Sequence, residues 1–173
     1  MTETLRLAIL ASGRGSNAQA IVKAYEEGRL GNIEPVFIFS DKNAPVIAWA
    51  REQRLDHGVL LAKDYQNRLA HEEALIAELQ KRKIDLIVLA GYMRILSPDF
   101  VKQFPKRILN IHPSILPAYP GIHSIERAYR DKVSYSGVTV HLVDDGVDSG
   151  PILAQVRVAL TPEMSLDAFE TAI

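Results

Sequence analysis

Asn110 and His112 sit two residues apart at the end of a short apolar run, Arg107-Ile108-Leu109, and Pro113-Ser114 follows them. In a strand, side chains at i and i+2 share a face. An amide donor and an imidazole would then project together, a pairing suited to holding an oxyanion while moving a proton. A carboxylate could complete the set. Asp144-Asp145-Gly146-Val147-Asp148-Ser149-Gly150-Pro151 offers three, and Asp148 lies beside the constrained Gly150-Pro151. A carboxylate near a histidine favours the imidazolium, and His112 or His141 could benefit. The bland alternative is a solvated turn between two strands. A Ca²⁺ loop of the EF-hand type is excluded because the later Glu is missing.

A second site is suggested by Ser12-Gly13-Arg14-Gly15-Ser16-Asn17, between an apolar run and a helical segment. Two glycines allow close backbone approach, and the helix that follows aims free N–H groups at its guest. Phosphate is the natural ligand, and a plain strand-to-helix turn is the alternative. Residue 18 is Ala, which argues against a dinucleotide fingerprint, and no Lys-Ser/Thr follows to make a nucleoside triphosphate loop. A third segment, Gly91-Tyr92-Met93-Arg94-Ile95-Leu96, follows the buried run Asp85–Ala90. Ligands of parallel α/β sheets bind at strand carboxyl ends, so the three segments are expected to converge on one crevice.

The elements that must position them alternate. Leu7–Ala11, Pro35–Ser40, Gly58–Leu61 and Asp85–Ala90 read as strands. Asn17–Gly28, Ala44–Gln53 and Asn67–Lys83 read as helices, with Ala20, Ile21, Ala24 and Tyr25 facing inward on the first and Leu69, Leu75, Ile76 and Leu79 on the last. His57 reads as a turn residue and His71 as a helix-surface residue. The βαβ order predicts a parallel sheet covered by helices. Further on come a short strand at Arg107–Asn110, a short helix at Ser124–Asp131 and two strands, Ser136–Val143 and Pro151–Ala159, that could pair antiparallel. The expected fold is α/β, Rossmann-like and three-layered, mostly parallel with an antiparallel C-terminal portion.

The 173 residues suit one domain with a sizeable core. A net charge of −1 gives no bulk attraction to nucleic acid or to an anionic membrane, and no apolar stretch approaches a membrane span. The absence of cysteine removes disulfides, thiolate chemistry and Cys-ligated metals. A cytoplasmic protein is expected. Ser165 reads as the cap of a helix with no stop signal, so the natural chain is expected to continue past Ile173.

Taken together, Asn110-Ile111-His112-Pro113-Ser114, Leu116-Pro117, Tyr119-Pro120-Gly121, Asp148-Ser149-Gly150-Pro151, Ser12-Gly13-x-Gly15-Ser16-Asn17 and Gly91–Leu96 resemble the folate-dependent formyltransferases, in the branch that serves purine synthesis. The resemblance covers essentially the whole chain. It implies transfer of a formyl group from 10-formyltetrahydrofolate to the amine of glycinamide ribonucleotide, without a metal, by a monomer or homodimer. It implies Asn110, His112 and Asp148 as the catalytic trio and Gly15, Ser16 and Asn17 as the substrate-phosphate site. Arg68, Met93, Arg94, Ile95, Leu96 and Asn110, with Val143, Asp144, Gly146 and Val147, are implied around the folate. Ala118 stands where many relatives carry Lys, and Ile125 where some carry a second His. The downstream Glu that would reach the substrate ribose is not in these 173 residues.

Two rivals share the Asn-x-His and Asp signatures. A methionyl-tRNA formyltransferase usually has a larger second domain and Arg in place of Tyr119-Pro120, and a formyltetrahydrofolate hydrolase has an N-terminal regulatory domain. A non-catalytic phosphate-binding module would keep Ser12–Asn17 but would have no use for Asn110, His112 and Asp148 together.

Overall fold

Apolar side chains that repeat without a break belong to strands covered on both faces, and the run Phe37-Ile38-Phe39 is fully buried in this way. The computed structural model of the chain describes residues 3–173. It contains two compact units, one ending at Ile108 and the other running from Leu109 to Ile173.

In the first unit the order is β1 (Leu5–Leu10), α1 (Ser16–Glu26), β2 (Ile33–Ser40), α2 (Pro45–Glu52), β3 (His57–Val59), a single 3₁₀ turn (Ala62–Asp64), α3 (Arg68–Lys81), β4 (Leu86–Leu89) and α4 (Pro98–Gln103). The strands are parallel, with β1 paired to β2 and β4, and β2 to β3. Ile9, Leu10, Val46, Leu75, Leu79 and Ile87 fill the core. Removing one such side chain to Ala typically costs about 2–5 kcal/mol. Asn67 caps α3 by accepting from the Ala70 N–H at 2.9 Å, a contact worth about 1 kcal/mol.

The second unit holds β5 (Ile108–His112, whose first residue closes the first unit), α5 (Ser124–Arg130), β6 (Tyr135–Leu142), β7 (Ile152–Ala159) and α6 (Leu166–Ala172). Here the pairing is antiparallel, β5 with β6 and β6 with β7. Ala128, Leu160 and Phe169 form its core, with Tyr119, Val133 and Met164 packed against them. Ser165 caps α6, accepting from the Ala168 N–H. The α/β class, the parallel N-terminal strands and the antiparallel C-terminal ones agree with the sequence.

Several local expectations need correction. His71 is not on the surface of α3. It is 1% exposed, and its Nε2 faces the Leu60 carbonyl at 2.8 Å. Glu72 is buried beside it, while Leu69 is turned to solvent. Helix α3 is therefore rotated toward its polar residues, because two of them find buried partners. The inward stripe of α1 is Ala18, Val22 and Ala24; Ala20 and Tyr25 are exposed. His57 opens β3 instead of lying in a turn. α4 adds a short helix to the expected elements, started by Ser97-Pro98, which carries the usual start signal. β7 is exposed along nearly its whole length. Among the described residues no helix is long and apolar enough to cross a membrane.

Candidate active site

β5 carries Asn110 and His112 with their side chains on one face, as the i, i+2 spacing requires. Both reach Asp148. Asn110 Nδ2 donates to Asp148 Oδ1 at 3.2 Å, and His112 Nδ1 lies 3.3 Å from Asp148 Oδ2. The other face of the His112 ring is fixed, since Nε2 lies 2.8 Å from the Tyr119 carbonyl and must donate to it. The Gly121 N–H donates to Asp148 Oδ2 at 2.7 Å. Asp148 itself adopts φ 53°, a left-handed conformation that Asp tolerates better than most residues. That turn directs its carboxylate back toward β5.

His141 on β6 completes the group. In the antiparallel register it lies opposite Asn110. Its Nε2 is 3.3 Å from Asp148 Oδ1 and 3.2 Å from Asn110 Nδ2, and its Nδ1 faces the Leu142 carbonyl at 2.9 Å. The hydrogen bond to Asp148 raises the His141 pKa, against a lowering from burial. Conversely, that His141 bond, with the Gly121 N–H and the His112 ring, holds Asp148 down to about 2 although burial acts the other way. The carboxylate thus has two imidazoles, one per oxygen, and the stronger partner is His141. His141 is the second histidine that the sequence places within reach of this loop's carboxylates, whereas the Tyr119 carbonyl and the Gly121 amide are backbone groups with no side-chain signal.

His123, in the loop that follows, caps α5 at φ 55° and is exposed, with Nδ1 3.1 Å from Glu126. The folate-loop candidates after β6 form a self-closed turn. Asp144 Oδ1 accepts from the Gly146 N–H at 3.0 Å and from Ser149 Oγ at 2.8 Å. A Cβ on Gly146 would come within 2.1 Å of Ser149 Oγ. Val143 flanks this turn half-buried, and Val147 projects from it into solvent.

In the first unit, Gly15 precedes α1 at φ 77°, and a Cβ there would sit 2.3 Å from Val46 Cγ2. Glycine is required twice over, by conformation and by space. The first intrahelical bond of α1 joins the Gln19 N–H to the Gly15 carbonyl at 2.8 Å, and no side chain caps the helix. The amides of Ser16 and Asn17 therefore belong to the open first turn, with no acidic residue there to repel an anion.

The segment Met93–Leu96 lies between β4 and α4. Met93 is 71% and Ile95 62% exposed, whereas Leu96 is buried. Arg94 lines a cleft of about 430 Å³ with Lys42, Asn43, Ala62 and Lys63. Arg68 opens α3, its Nε 3.9 Å from buried Glu72. Among the described residues no group of three or more His, Cys, Asp or Glu side chains could hold a metal ion.

Residues 5–173 match the family model described as formyl transferase. The phosphoribosylglycinamide formyltransferase of Bacillus subtilis is 37% identical over 168 residues, covering 97% of this chain and 86% of that protein. That of Escherichia coli K12 is 40% identical over 156 residues, covering 89% and 73%. The crystal structure of glycinamide ribonucleotide transformylase 1 from Geobacillus kaustophilus superposes with a TM-score of 0.94 at 43% identity, over 99% of this chain and 91% of that one. The chain belongs to the formyl transferase family.

Proposed function

We propose that this protein transfers the formyl group of 10-formyltetrahydrofolate to the amine of glycinamide ribonucleotide, a step of purine synthesis, and that Asn110, His112 and Asp148 carry the chemistry. The observation behind this reading is the cluster in which one carboxylate meets Asn110, His112 and His141 at 3.2–3.3 Å.

The substrate amine attacks the formyl carbon, forming a C–N bond, and the carbonyl oxygen becomes an oxyanion. When the tetrahedral centre collapses, the bond from carbon to the folate nitrogen breaks. The attacking amine gives up one proton and the folate nitrogen gains one. The Tyr119 carbonyl anchors Nε2–H of His112 and Nδ1 faces Asp148, so the His112–Asp148 pair relays that proton between the amine and the folate nitrogen. Asn110 has two N–H groups. Asp148 Oδ1 and His141 Nε2 each lie 3.2 Å from Nδ2 and 3.3 Å from each other, so both sit on the side of one N–H. The second N–H diverges from that side and is the donor for the oxyanion. A preorganised donor of this type contributes about 3–4 kcal/mol to the transition state.

Gly15, Ser16 and Asn17 hold the substrate phosphate on the open turn of α1. Arg68, Met93, Arg94, Ile95, Leu96 and Asn110, with Val143, Asp144, Gly146 and Val147, bind the reduced folate. The exposed Met93, Ile95 and Val147 supply apolar contact, and the two arginines suit its carboxylates. No metal takes part in this scheme.

The test is a transfer assay with 10-formyltetrahydrofolate and glycinamide ribonucleotide, following release of tetrahydrofolate. Release that depends on the nucleotide is the expected result. Release at the same rate with water alone would make the protein a hydrolase, and formylation of methionyl-tRNA instead would place it in that other branch.

A further inference from the structure

Ser12, at the start of the phosphate loop, is buried at 4% exposure. Its hydroxyl donates to Asp41 Oδ1 at 2.6 Å and accepts from the Met93 N–H at 2.9 Å. Its own N–H donates to the Gly91 carbonyl at 3.0 Å. One buried serine thus joins the residues that follow three parallel strands: itself after β1, Asp41 after β2, and Gly91 to Met93 after β4. The far end of the same segment is held as well. The Ser97 N–H donates to Glu72 Oε1 at 2.9 Å, and Ser97 Oγ donates to Glu72 Oε2. Between these two clamps, Met93 and Ile95 point into solvent.

A backbone tied at both ends by buried polar groups presents exposed apolar side chains in a fixed position. Only the Ser12 clamp also belongs to the loop that continues into Gly15, Ser16 and Asn17. Moving that loop must disturb either the Asp41 bond or the Met93 bond, because one hydroxyl serves both. Removing the hydroxyl leaves a half-buried carboxylate and a half-buried amide short of a partner.

We propose that Ser12, oriented by Asp41, is a positioning residue that couples the nucleotide-phosphate loop to the folate-binding segment Met93–Leu96, so that occupying either one strengthens binding at the other. The proposal rests on the ligand assignments of the preceding section. By linkage the effect is reciprocal, and coupled sites usually differ by about 5- to 150-fold in affinity.

The experiment uses a pair that cannot react, glycinamide ribonucleotide with tetrahydrofolate. The Kd of tetrahydrofolate is measured by calorimetry with and without saturating nucleotide. In the wild-type protein the nucleotide lowers that Kd about tenfold, within the coupled range. In Ser12→Ala the ratio falls to within twofold of one, while each ligand alone still binds. Asp41→Ala behaves the same way, and Asp41→Asn, which keeps an acceptor for the hydroxyl, restores most of the ratio. A merely structural role would lower melting temperature and both affinities but leave the ratio intact. Equal ratios in wild type and Ser12→Ala overturn the proposal, as does a wild-type ratio of one. If Ser12→Ala does not fold, the Asp41→Ala and Asp41→Asn pair decides by the same ratios. Failure of the underlying assignment looks different: Gly15→Ala would then leave nucleotide affinity unchanged.

Discussion

In the second unit, Asn110, His112, His141 and Asp148 meet through side-chain atoms 3.2–3.3 Å apart. In the first, the loop Ser12–Asn17 presents backbone amides outward and keeps its one buried side-chain hydroxyl bonded inward. The two regions differ in what they can lose. A cluster that moves protons depends on the identity of a few side chains, and deleting one removes a chemical step. A loop that grips an anion depends on backbone conformation, and its side chains matter through what they allow the backbone to do. Substitutions should therefore act on turnover in one region and on affinity in the other.

The largest effect is expected from His112→Ala. Losing a positioned proton carrier typically lowers rate by about 10²- to 10⁴-fold. We expect a fall in kcat of that order, with nucleotide affinity within threefold of wild type, measured by steady-state assay and calorimetry on protein with a normal melting transition. An equal loss in affinity would erase the distinction between the regions. Asp148→Asn should come next, at about 10²-fold or more in kcat. It should also let the His141 pKa fall back toward its ordinary value, which an NMR titration would detect. If the His141 titration did not move, the shared carboxylate would not be what raises it.

Gly15→Ala tests the other region and should be milder in turnover. The new Cβ is too close to Val46 and φ is 77°, so the loop must shift. Left-handed backbone at a non-glycine residue costs of order 1 kcal/mol or more. A rise of about tenfold in KM for the nucleotide is expected, with a smaller change in kcat. The reverse split would move Gly15 from binding to chemistry.

The two regions also differed in how far they could be read from the chain. Asn110, His112 and Asp148 stood out because amide, imidazole and carboxylate groups near strand ends and glycines have few structural uses. The loop at Gly15 was legible through glycine spacing alone. What escaped was anything defined by a distant partner. His71 looked like a surface residue of α3, since its burial depends on the Leu60 carbonyl, 11 residues away. Ser12 offered no hint that its hydroxyl would bridge Asp41 and Met93. The strands were clear where both faces are covered, as at Phe37-Ile38-Phe39. On α1 the spacing of Ala20, Ile21, Ala24 and Tyr25 suggested one inward face, and packing of Ala18, Val22 and Ala24 selected another.

The smallest expected effect is on stability, and it separates the regions by pH. Asp148 titrates at about 2 in the folded protein, below its usual value of 3.8. A depressed carboxylate stabilises the fold above its unfolded pKa, and that contribution is lost as pH falls from about 4 through about 2. His141 is raised above 6.5. Its contribution is complete below about 6.5 and is lost as pH climbs through the folded value. The pair is therefore worth most between about pH 4 and 6.5, on the order of 1–2 kcal/mol given a shift of this size. Urea denaturation of the wild type and Asp148→Asn at pH 3, 5 and 8 should show the largest difference at pH 5. The amides of Gly15, Ser16 and Asn17 carry no titrating proton, so the stability change in Gly15→Ala should be the same at all three. A difference for Asp148→Asn that is equally flat would mean that the carboxylate stabilises the fold through packing and the Gly121 amide, with the His141 imidazole contributing nothing that pH can remove.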